Sequence, residues 1–419
     1  MITQISNYVN EEYDLIDGLK KGVIYHCGLI PDNVRIYIED CVRRIKNIKY
    51  ILCSSTLLEG VNMPFTTMFI LDLYKGQRHL TYHQLINLIG RVNRFNIIFS
   101  GKKEGLKGIM SNIYFIKRKE ISGDYKGFIS ERLKMESNSE KRNDQVENPF
   151  LEKAKNDVEE VEKKTLSVLL DKTVDGQKAE FKTNIGKIMM NQNIIDLDLF
   201  KYETIINDRI KNYNKENKEL VEIIYELFIQ GLPYNEDSKI LALKEEGARH
   251  HYNMVLKWKK QNQSFSQMIN KQIHYWDNSN VNDIYVGQRW GTPQPNRPNS
   301  PFVDKTKLNK KQLTNLAIIK VKEDLDYLDF YILRYIEVLY KINLIYDQEY
   351  NAIKYGTNDS VQIFFIKEGL SQDLSKLLVN KYKDDIVSDG ESYRLKLKIL
   401  DDIKDENEIL VNELKYYIN

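Results

Sequence analysis

Two short apolar runs separated by a polar segment constrain the fold of this chain more than any other feature. Tyr50–Cys53 and Thr67–Leu73 are rich in residues that favour β-strands, and a helical pattern follows at 81–90. Gly22–His26 predicts an earlier strand and Ile113–Ile116 a later one. Because strands that alternate with helices form parallel sheets covered on both faces, we predict an α/β domain at the start of the chain.

A helix is predicted between the strands at 22–26 and 50–53. Asp32 is expected to cap its N-terminus, since carboxylates accept hydrogen bonds from the free peptide N–H groups there. Apolar residues then recur every three or four positions, as at Val34, Ile38 and Cys41. Ligands of parallel sheets bind at the carboxyl ends of strands, which places 54–64 at the expected site.

Bulk composition limits the classes of function. The chain has 419 residues, which predicts two or three domains. Lys and Arg number 62 against 60 Asp and Glu, a net charge of +2, so a nucleic-acid surface has to be a local basic patch. Three cysteines (Cys27, Cys41 and Cys53) without CxxC spacing indicate neither a disulfide framework nor a zinc site. No membrane span or signal peptide is recognised, and a cytoplasmic location is expected.

Beyond the α/β region the sequence predicts mainly helices. The predicted domains are 1–125, the α/β domain; 126–185, a charged connector and helix; 186–275, a helical domain; 276–307, an aromatic and proline-rich loop; and 308–419, a C-terminal helical domain. A short α/β-like tail is expected at 355–371. The predicted fold class is therefore α/β followed by mainly α.

Two motifs in the first domain resemble those of a known family. Residues 55–64 read Ser-Thr-Leu-Leu-Glu-Gly-Val-Asn-Met-Pro, and 87–94 read Asn-Leu-Ile-Gly-Arg-Val-Asn-Arg. They resemble motifs V and VI of superfamily-two DExH-box helicases, in the branch of exosome-associated and repair helicases. His26-Cys27-Gly28-Leu29 resembles that branch's His-x-Gly-Leu element. Beyond residue 120 the chain is similar to the helical tails of bacterial antiphage-defence helicases such as the Hachiman type.

The resemblance implies a fold and a set of roles. The fold would be a RecA-like parallel sheet domain, the second helicase lobe, incomplete at its N-terminus. Arg91 and Arg94 would be arginine fingers that face ATP across a cleft, a recurring device for stabilising charge in phosphoryl transfer. The implied nucleotide contacts are Glu59, Gly60, Asn62 and Gly90. The implied nucleic-acid contacts are Ser55, Thr56, His26 and Gly28. No metal ligand is implied.

The sequence departs from the family in two ways. Val92 and Asn93 stand where motif VI usually has a small Ala-Gly pair, which adds bulk to a tightly packed turn. The chain also has no Gly-x-x-x-x-Gly-Lys-Ser/Thr phosphate loop and no magnesium-binding carboxylate box. We therefore expect ATP and Mg²⁺ only when the missing N-terminal lobe is present, and neither bound by this chain alone.

Other constellations have two interpretations each. The basic cluster from Lys102 to Lys119 either grips phosphates or forms a solvated face. Trp276, Tyr285 and Trp290 either stack on single-stranded bases or pin their loop to the helices, the more frequent case. The neighbouring histidines His250 and His251 point to different faces of a helix, so a structural role is favoured over metal binding.

Two functions from different classes remain open. The chain is either the C-terminal portion of an ATP-dependent nucleic-acid helicase or translocase, or a non-catalytic nucleic-acid-binding or scaffold protein derived from one. In the first case it is a fragment or a split subunit, and in the second a decayed relative. The expected partners are a single-stranded region of DNA or RNA, a chain carrying the N-terminal lobe, and a nuclease subunit.

Overall fold

A computed structural model describes most of the chain as two compact units, Met1–Val146 and Glu147–Asn419. The described residues are 1–45, 47–54, 65–75, 78–92, 112–117, 124–134, 180–214, 218–287, 290–295, 300–390 and 392–418. Of the predicted domains, the connector lies largely outside these ranges, and the five-part division stays a prediction. None of the helices in the described ranges is long and apolar enough to cross a membrane.

The first part of unit 1 follows the predicted alternation of strands and helices. Its elements are α1 (Ile2–Tyr8), α2 (Asp14–Lys20), β1 (Val23–His26), α3 (Asp32–Arg44) and β2 (Tyr50–Cys53). Strand β1 runs parallel to β2, with Val23 opposite Tyr50. The predicted apolar face of α3 is confirmed, because Val34, Ile38 and Cys41 are buried.

The predicted cap of α3 is displaced by one residue. Pro31 occupies the cap position, where it makes no side-chain hydrogen bond, and Asp32 is the first helical residue. The Asp32 carboxylate instead pairs with Arg35 at 2.9 Å. The acidic residue still lies at the helix N-terminus, where the helix dipole favours negative charge.

The second part of unit 1 forms a separate small core. Its elements are β3 (Thr67–Ile70), β4 (Tyr74–Lys75), β5 (Arg78–His79), α4 (Tyr82–Ile89), β6 (Asn112–Phe115) and α5 (Tyr125–Lys134). Strand β3 runs parallel to β6, and β4 and β5 form a short antiparallel pair. Met68, Ile70, Leu80, Leu85 and Val92 pack together beneath them.

The single covered parallel sheet predicted for unit 1 is not what the described residues form. They form two two-stranded parallel sheets, β1 with β2 and β3 with β6, so a RecA-like sheet is not confirmed. The predicted strand at 67–73 ends early at Ile70, and the chain then bends where the Asp72 carboxylate accepts from the Tyr74 N–H at 3.2 Å. Between β2 and β3 no described strand bridges the two sheets.

Unit 2 is mainly helical, as predicted. Its α-helices are α6 (Asn184–Asn191), α7 (Leu199–Lys211), α8 (Leu220–Ile224), α9 (Glu246–Lys260), α10 (Phe265–Asp277), α11 (Lys310–Tyr327), α12 (Leu333–Lys341), α13 (Asp347–Tyr355), α14 (Ser360–Lys367), α15 (Gln372–Lys381), α16 (Ile399–Asp402) and α17 (Glu408–Ile418). π-Helical turns extend α8 over Tyr225–Ile229 and join α11 to α12 over Leu328–Ile332. Short 3₁₀ turns lie at Lys239–Lys244, Lys305–Lys307 and Lys383–Asp385.

Two antiparallel hairpins interrupt the helices of unit 2. Strands β7 (Asp283–Tyr285) and β8 (Phe302–Asp304) lie within the predicted irregular loop, and β9 (Ile386–Ser388) pairs with β10 (Tyr393–Leu395). The α/β-like tail predicted at 355–371 is wrong, because the end of α13 and the whole of α14 occupy it and no strand lies among these residues. Gly356, at φ +70°, ends α13 in the left-handed conformation that glycine adopts at low cost, so a turn residue marks a helix end here.

Candidate nucleotide and nucleic-acid site

Helix α4 carries the described part of the second motif. Thr81 caps it, accepting from the Gln84 N–H at 3.3 Å, while the Gln84 side chain accepts from the Thr81 N–H at 3.0 Å. This reciprocal capping box fixes where the helix begins. The helix ends at Ile89, and Gly90 follows as its C-cap in right-handed geometry. A Cβ at Gly90 would lie 3.3 Å from the Ile86 carbonyl oxygen, so the turn is tight there.

The second motif contacts the residue that directly follows the first. Val92 is buried and forms a parallel β-bridge with Phe65, the residue that follows the first motif directly. Arg91 lies in the turn just before this bridge, and its side chain is only 8% exposed. The larger Val92 side chain, which departs from the family pattern, is thus accommodated as part of the small core around β3.

The carboxyl ends of β1 and β2 also lie side by side. The Ser54 N–H donates to the His26 carbonyl oxygen at 3.2 Å, and Cys53 is the register partner of His26. Gly28 is exposed in the turn after β1. Ser54, which directly precedes the first motif, therefore lies beside the turn that carries Gly28. Ligands of parallel sheets bind at this edge.

His26 is held inside the fold. Its side chain is 1% exposed, and Nε2 lies 3.0 Å from a carboxylate oxygen of Glu39 on α3. This contact ties the end of β1 to the following helix. Sequence reasoning did not identify Glu39 as the partner of His26. The available signal was an acidic residue on the helix that also carries the buried Ile38.

Cys53, at this edge, is a poor nucleophile. Burial, with a smaller contribution from Cys27, raises the pKa of Cys53 to about 12. Cys27 and Cys53 are free thiols, as is Cys41 in the core of unit 1. Because the thiolate is the reactive form, a thiol with this pKa is protonated at neutral pH. Covalent cysteine chemistry at Cys53 is thus disfavoured.

Several predicted site residues lie outside the described ranges. These are Ser55, Thr56, Glu59, Gly60, Asn62 and Arg94, together with most of the Lys102–Lys119 cluster. The structure therefore brings Gly90 and Arg91 close to Phe65, the residue after the first motif. Separately, it places His26 and Gly28 near Ser54, the residue before that motif.

Of the predicted nucleotide contacts, the structure describes only Gly90 and Arg91. A glycine and a buried arginine supply no oxygen side chain to coordinate Mg²⁺, which prefers carboxylates and water. These two residues do not by themselves fit an ATP–magnesium site, and we route no chemical step through one.

The aromatic loop of unit 2 is largely packed onto helices. Trp276 is buried at the end of α10, and the Trp290 indole N–H donates to the Glu323 carboxylate at 2.9 Å. Tyr285 and Phe302 are about half exposed on the β7–β8 hairpin, with ring centroids 5.6 Å apart. The packing interpretation is confirmed for the two tryptophans, while the hairpin retains an exposed aromatic pair.

A buried charged cluster in unit 2 was not predicted. His251 Nε2 lies 2.8 Å from an Asp324 carboxylate oxygen, and the Lys320 ammonium pairs with the same carboxylate. The Asp324 and Lys320 side chains are 2% and 5% exposed. The structural role favoured for His251 agrees with this geometry. The i, i+4 spacing of Lys320 and Asp324 was the available signal, but such spacing is commonplace on exposed helix faces.

Part of the chain is similar to an anti-bacteriophage protein and to a helicase-like protein. Anti-bacteriophage protein B of Escherichia coli K12 is 30% identical over 98 residues, which is 23% of this chain and 13% of that protein. The Helicase POLQ-like protein of Drosophila melanogaster is 31% identical over 108 residues, 22% of this chain and 10% of that protein. The chain thus matches only about a tenth of the length of either relative. No family model and no solved structure matches the chain.

Proposed function

We propose that this chain is the C-terminal portion of an ATP-dependent nucleic-acid helicase or translocase of the superfamily-two DExH-box class. The observation that carries the proposal is the bridge between Val92 and Phe65, because it joins the second motif to the residue directly after the first. The similarity to the Helicase POLQ-like protein supports the class. The nucleotide would be held by a chain or segment with the missing N-terminal lobe.

Within this proposal the predicted residues take defined roles. Arg94 and Arg91 stabilise charge on the transferred phosphate, with Glu59, Gly60, Asn62 and Gly90 around the nucleotide. Ser55, Thr56 and Gly28 contact the backbone of a single-stranded region. Because His26 is buried against Glu39, we assign it the positioning of the Gly28 turn rather than direct contact with the strand.

The setting we propose is antiphage defence, in bacteria. Similarity to Anti-bacteriophage protein B supports this setting, as does the resemblance of the helical remainder to defence helicases. A nuclease subunit would be a natural partner, because separated strands are nuclease substrates.

The test pairs the full chain with a polypeptide that carries a phosphate loop, encoded in the same locus. ATP hydrolysis stimulated by single-stranded DNA or RNA is expected, and Arg94→Ala should reduce it by about 10³-fold, the lower end of arginine-finger effects. Arg394→Ala removes an exposed arginine of unit 2 and serves as the matched control. Absence of hydrolysis with every such polypeptide would overturn the proposal.

A second candidate is a non-catalytic binding or scaffold protein derived from a helicase. Val92 and Asn93, which stand where motif VI usually has a small Ala-Gly pair, favour it. In that case single strands bind the full chain without hydrolysis, and Arg94→Ala changes only the salt-dependent affinity, by the loss of one phosphate contact.

A further inference from the structure

Two aromatic residues of the β7–β8 hairpin lie outside the packing that holds the tryptophans of unit 2. Tyr285 and Phe302 are register partners, so their side chains project from the same face of the hairpin. They are 44% and 45% exposed, whereas Ile284 and Val303 on the opposite face are buried. The hairpin therefore presents two large rings side by side on its outer face. We name them the hairpin aromatic pair.

The backbone that carries the pair is held by contacts on several sides. The Lys305 ammonium, just after β8, donates to the carbonyl oxygens of Trp276 and Ser279 at 2.8 and 2.6 Å. The Thr292 N–H donates to the Phe302 carbonyl oxygen at 2.9 Å, so a further segment bonds to β8. A ring on a backbone that is already ordered loses little freedom when a ligand stacks on it.

The two rings form a corner. Their planes meet at 77°, so a flat group that lies on one ring meets the edge of the other. The ammonium of the buried Lys320 lies 5.3 Å from the centroid of the Tyr285 ring, within the range of a cation–π contact. One side of that ring is thus occupied from within, and a ligand stacks on its exposed side.

Positive charge follows the pair along the chain. Lys307, in the turn after β8, is 80% exposed, and Lys310, the first residue of α11, is exposed as well. The first turn of α11 contains no acidic residue, and the N-terminus of a helix favours anions. Exposed rings beside lysines are the combination with which proteins bind single-stranded nucleic acid.

Two aspartates share the outer face of the hairpin with the rings. Asp283 on β7 and Asp304 on β8 are register partners. Asp304 accepts from the Thr306 hydroxyl at 2.6 Å and pairs with Lys307 at 3.2 Å, so its charge is compensated nearby. Asp283 is exposed and repels phosphates. The two strands therefore differ, because a phosphate is favoured beside the end of β8 and disfavoured beside β7.

We propose that the hairpin aromatic pair stacks on a base of a single-stranded nucleic acid whose phosphates lie towards Lys307 and Lys310. This inference rests on the function proposed above and deepens it, because it adds a base contact in unit 2 to the backbone contacts assigned to residues of unit 1. Every base has a flat aromatic face, so the contact tolerates any sequence. The bases of a duplex are stacked on one another and are not available to the pair.

The first experiment measures binding of the full chain to a fluorescein-labelled oligothymidylate of about 12 nucleotides by fluorescence anisotropy, without ATP. Phe302→Ala should weaken binding about tenfold, within the range for a base stacked on one aromatic ring. Phe302→Tyr keeps the ring and should bind as the unmodified chain does. Phe330→Ala removes an exposed phenylalanine elsewhere in unit 2 and should leave binding unchanged. Equal affinities of Phe302→Ala and Phe330→Ala would overturn the proposal.

Charge variants test which occupant the surface takes. Lys307→Gln should weaken binding of the oligothymidylate and reduce its salt dependence, because a phosphate contact is lost. Asp283→Asn should strengthen it by removing a repulsion. A protein partner with a basic segment is the alternative occupant, and with an oligoarginine peptide as the probe both signs reverse. Tighter binding of this peptide than of the oligothymidylate, lost in Phe302→Ala, would assign the surface to such a partner and overturn the proposal.

A duplex of the same length gives a further control. Phe302→Ala should bind the duplex as the unmodified chain does, and an equal loss for duplex and single strand would contradict stacking. Failure of this inference is distinguishable from failure of the proposed function, because binding is read without ATP. Hydrolysis with a phosphate-loop polypeptide but normal binding by Phe302→Ala would count against the stacking surface alone. Weakened binding without hydrolysis would count against the enzyme alone.

Discussion

Strands β2 and β3 of unit 1 and the C-terminal helical cluster of unit 2 differ in how they treat apolar residues. In unit 1, Tyr50, Leu52 and Phe69 lie on strands and yet are more than half exposed. In unit 2, Phe365, Leu374 and Leu414 are fully buried in one cluster with α14, α15 and α17 around it. Exposed apolar side chains beside a strand edge are typical of a surface that a partner covers, whereas the buried helical cluster needs no such cover.

Unit 2 also pairs charges that it buries. Unit 2 buries an ion pair between Lys320 and Asp324 and adds His251 to it, so each buried charge has a counter-charge nearby. It also buries Glu203, which accepts from the N–H groups of Lys182 and Thr183 at 2.8 and 2.9 Å. Such groups are costly to bury alone and tolerable when paired. These buried polar contacts indicate that the interior of unit 2 is stabilised by contacts within the unit.

The largest expected effect is in the closed core. Phe365→Ala in the full chain should lower the free energy of unfolding of unit 2 by about 3–5 kcal/mol, because the cavity it leaves cannot fully collapse. Urea denaturation followed by circular dichroism measures it, with Phe330→Ala at an exposed position as the control. A loss under about 1 kcal/mol would show that this core is loosely packed and would erase the contrast between the units.

The next effect is expected at the buried charges. Asp324→Asn leaves the Lys320 ammonium buried without a full counter-charge and should cost about 3 kcal/mol of stability. Asp401→Asn removes the matching partner from an exposed pair with Lys404, where a change within about 0.5 kcal/mol is expected. Equal effects of the two substitutions would contradict the paired-interior interpretation.

The same carboxylate predicts a dependence on acid pH. Burial acts to raise the pKa of Asp324, but attraction to His251 and Lys320 outweighs it, so the pKa lies below its ordinary 3.8. A lowered folded-state pKa contributes stability that is present above the ordinary value and lost as the pH falls through the folded one. Denaturation from pH 5 down to pH 2 should therefore show a steeper loss of stability below about pH 4 in the unmodified chain than in Asp324→Asn. Parallel curves would contradict it.

A smaller effect on stability is expected where the Glu203 carboxylate accepts hydrogen bonds from residues at the start of α6. Glu203 also accepts from the Thr183 hydroxyl at 2.5 Å, and Thr183 is the cap of α6. Glu203→Gln turns an acceptor into a donor towards these N–H groups and should cost about 1–3 kcal/mol. Glu236→Gln, at an exposed position, is the control, and chemical denaturation of both variants measures the difference.

Local patterns in the sequence were sufficient for part of this fold. The helix with Val34, Ile38 and Cys41 inward, and the four strands of the two parallel pairs, follow from spacing over a few residues. The meeting of the strand ends at His26 and Ser54 followed from the rule for parallel sheets. These are short-range consequences of alternation.

Contacts between distant residues were beyond that reasoning. His251 and Asp324 are 73 positions apart, and no periodicity links them. The burial of His26 depends on Glu39, and the described strands form two separate parallel sheets, which alternation alone did not indicate. Pro31 occupies the cap position that was predicted for Asp32. Local preference alone does not decide which of these neighbouring residues caps α3.

The smallest effect on stability, and the most direct test of the contrast, is expected at the open strands. Leu52→Ser and Phe69→Ser replace side chains that are both 59% exposed, so the free energy of unfolding should change by no more than about 0.5 kcal/mol. Self-association measured by sedimentation should fall, because two exposed apolar groups beside a strand edge are removed. A stability loss near that of Phe365→Ala would mean that unit 1 closes over these residues in solution, and that the edge between β2 and β3 is covered without a partner.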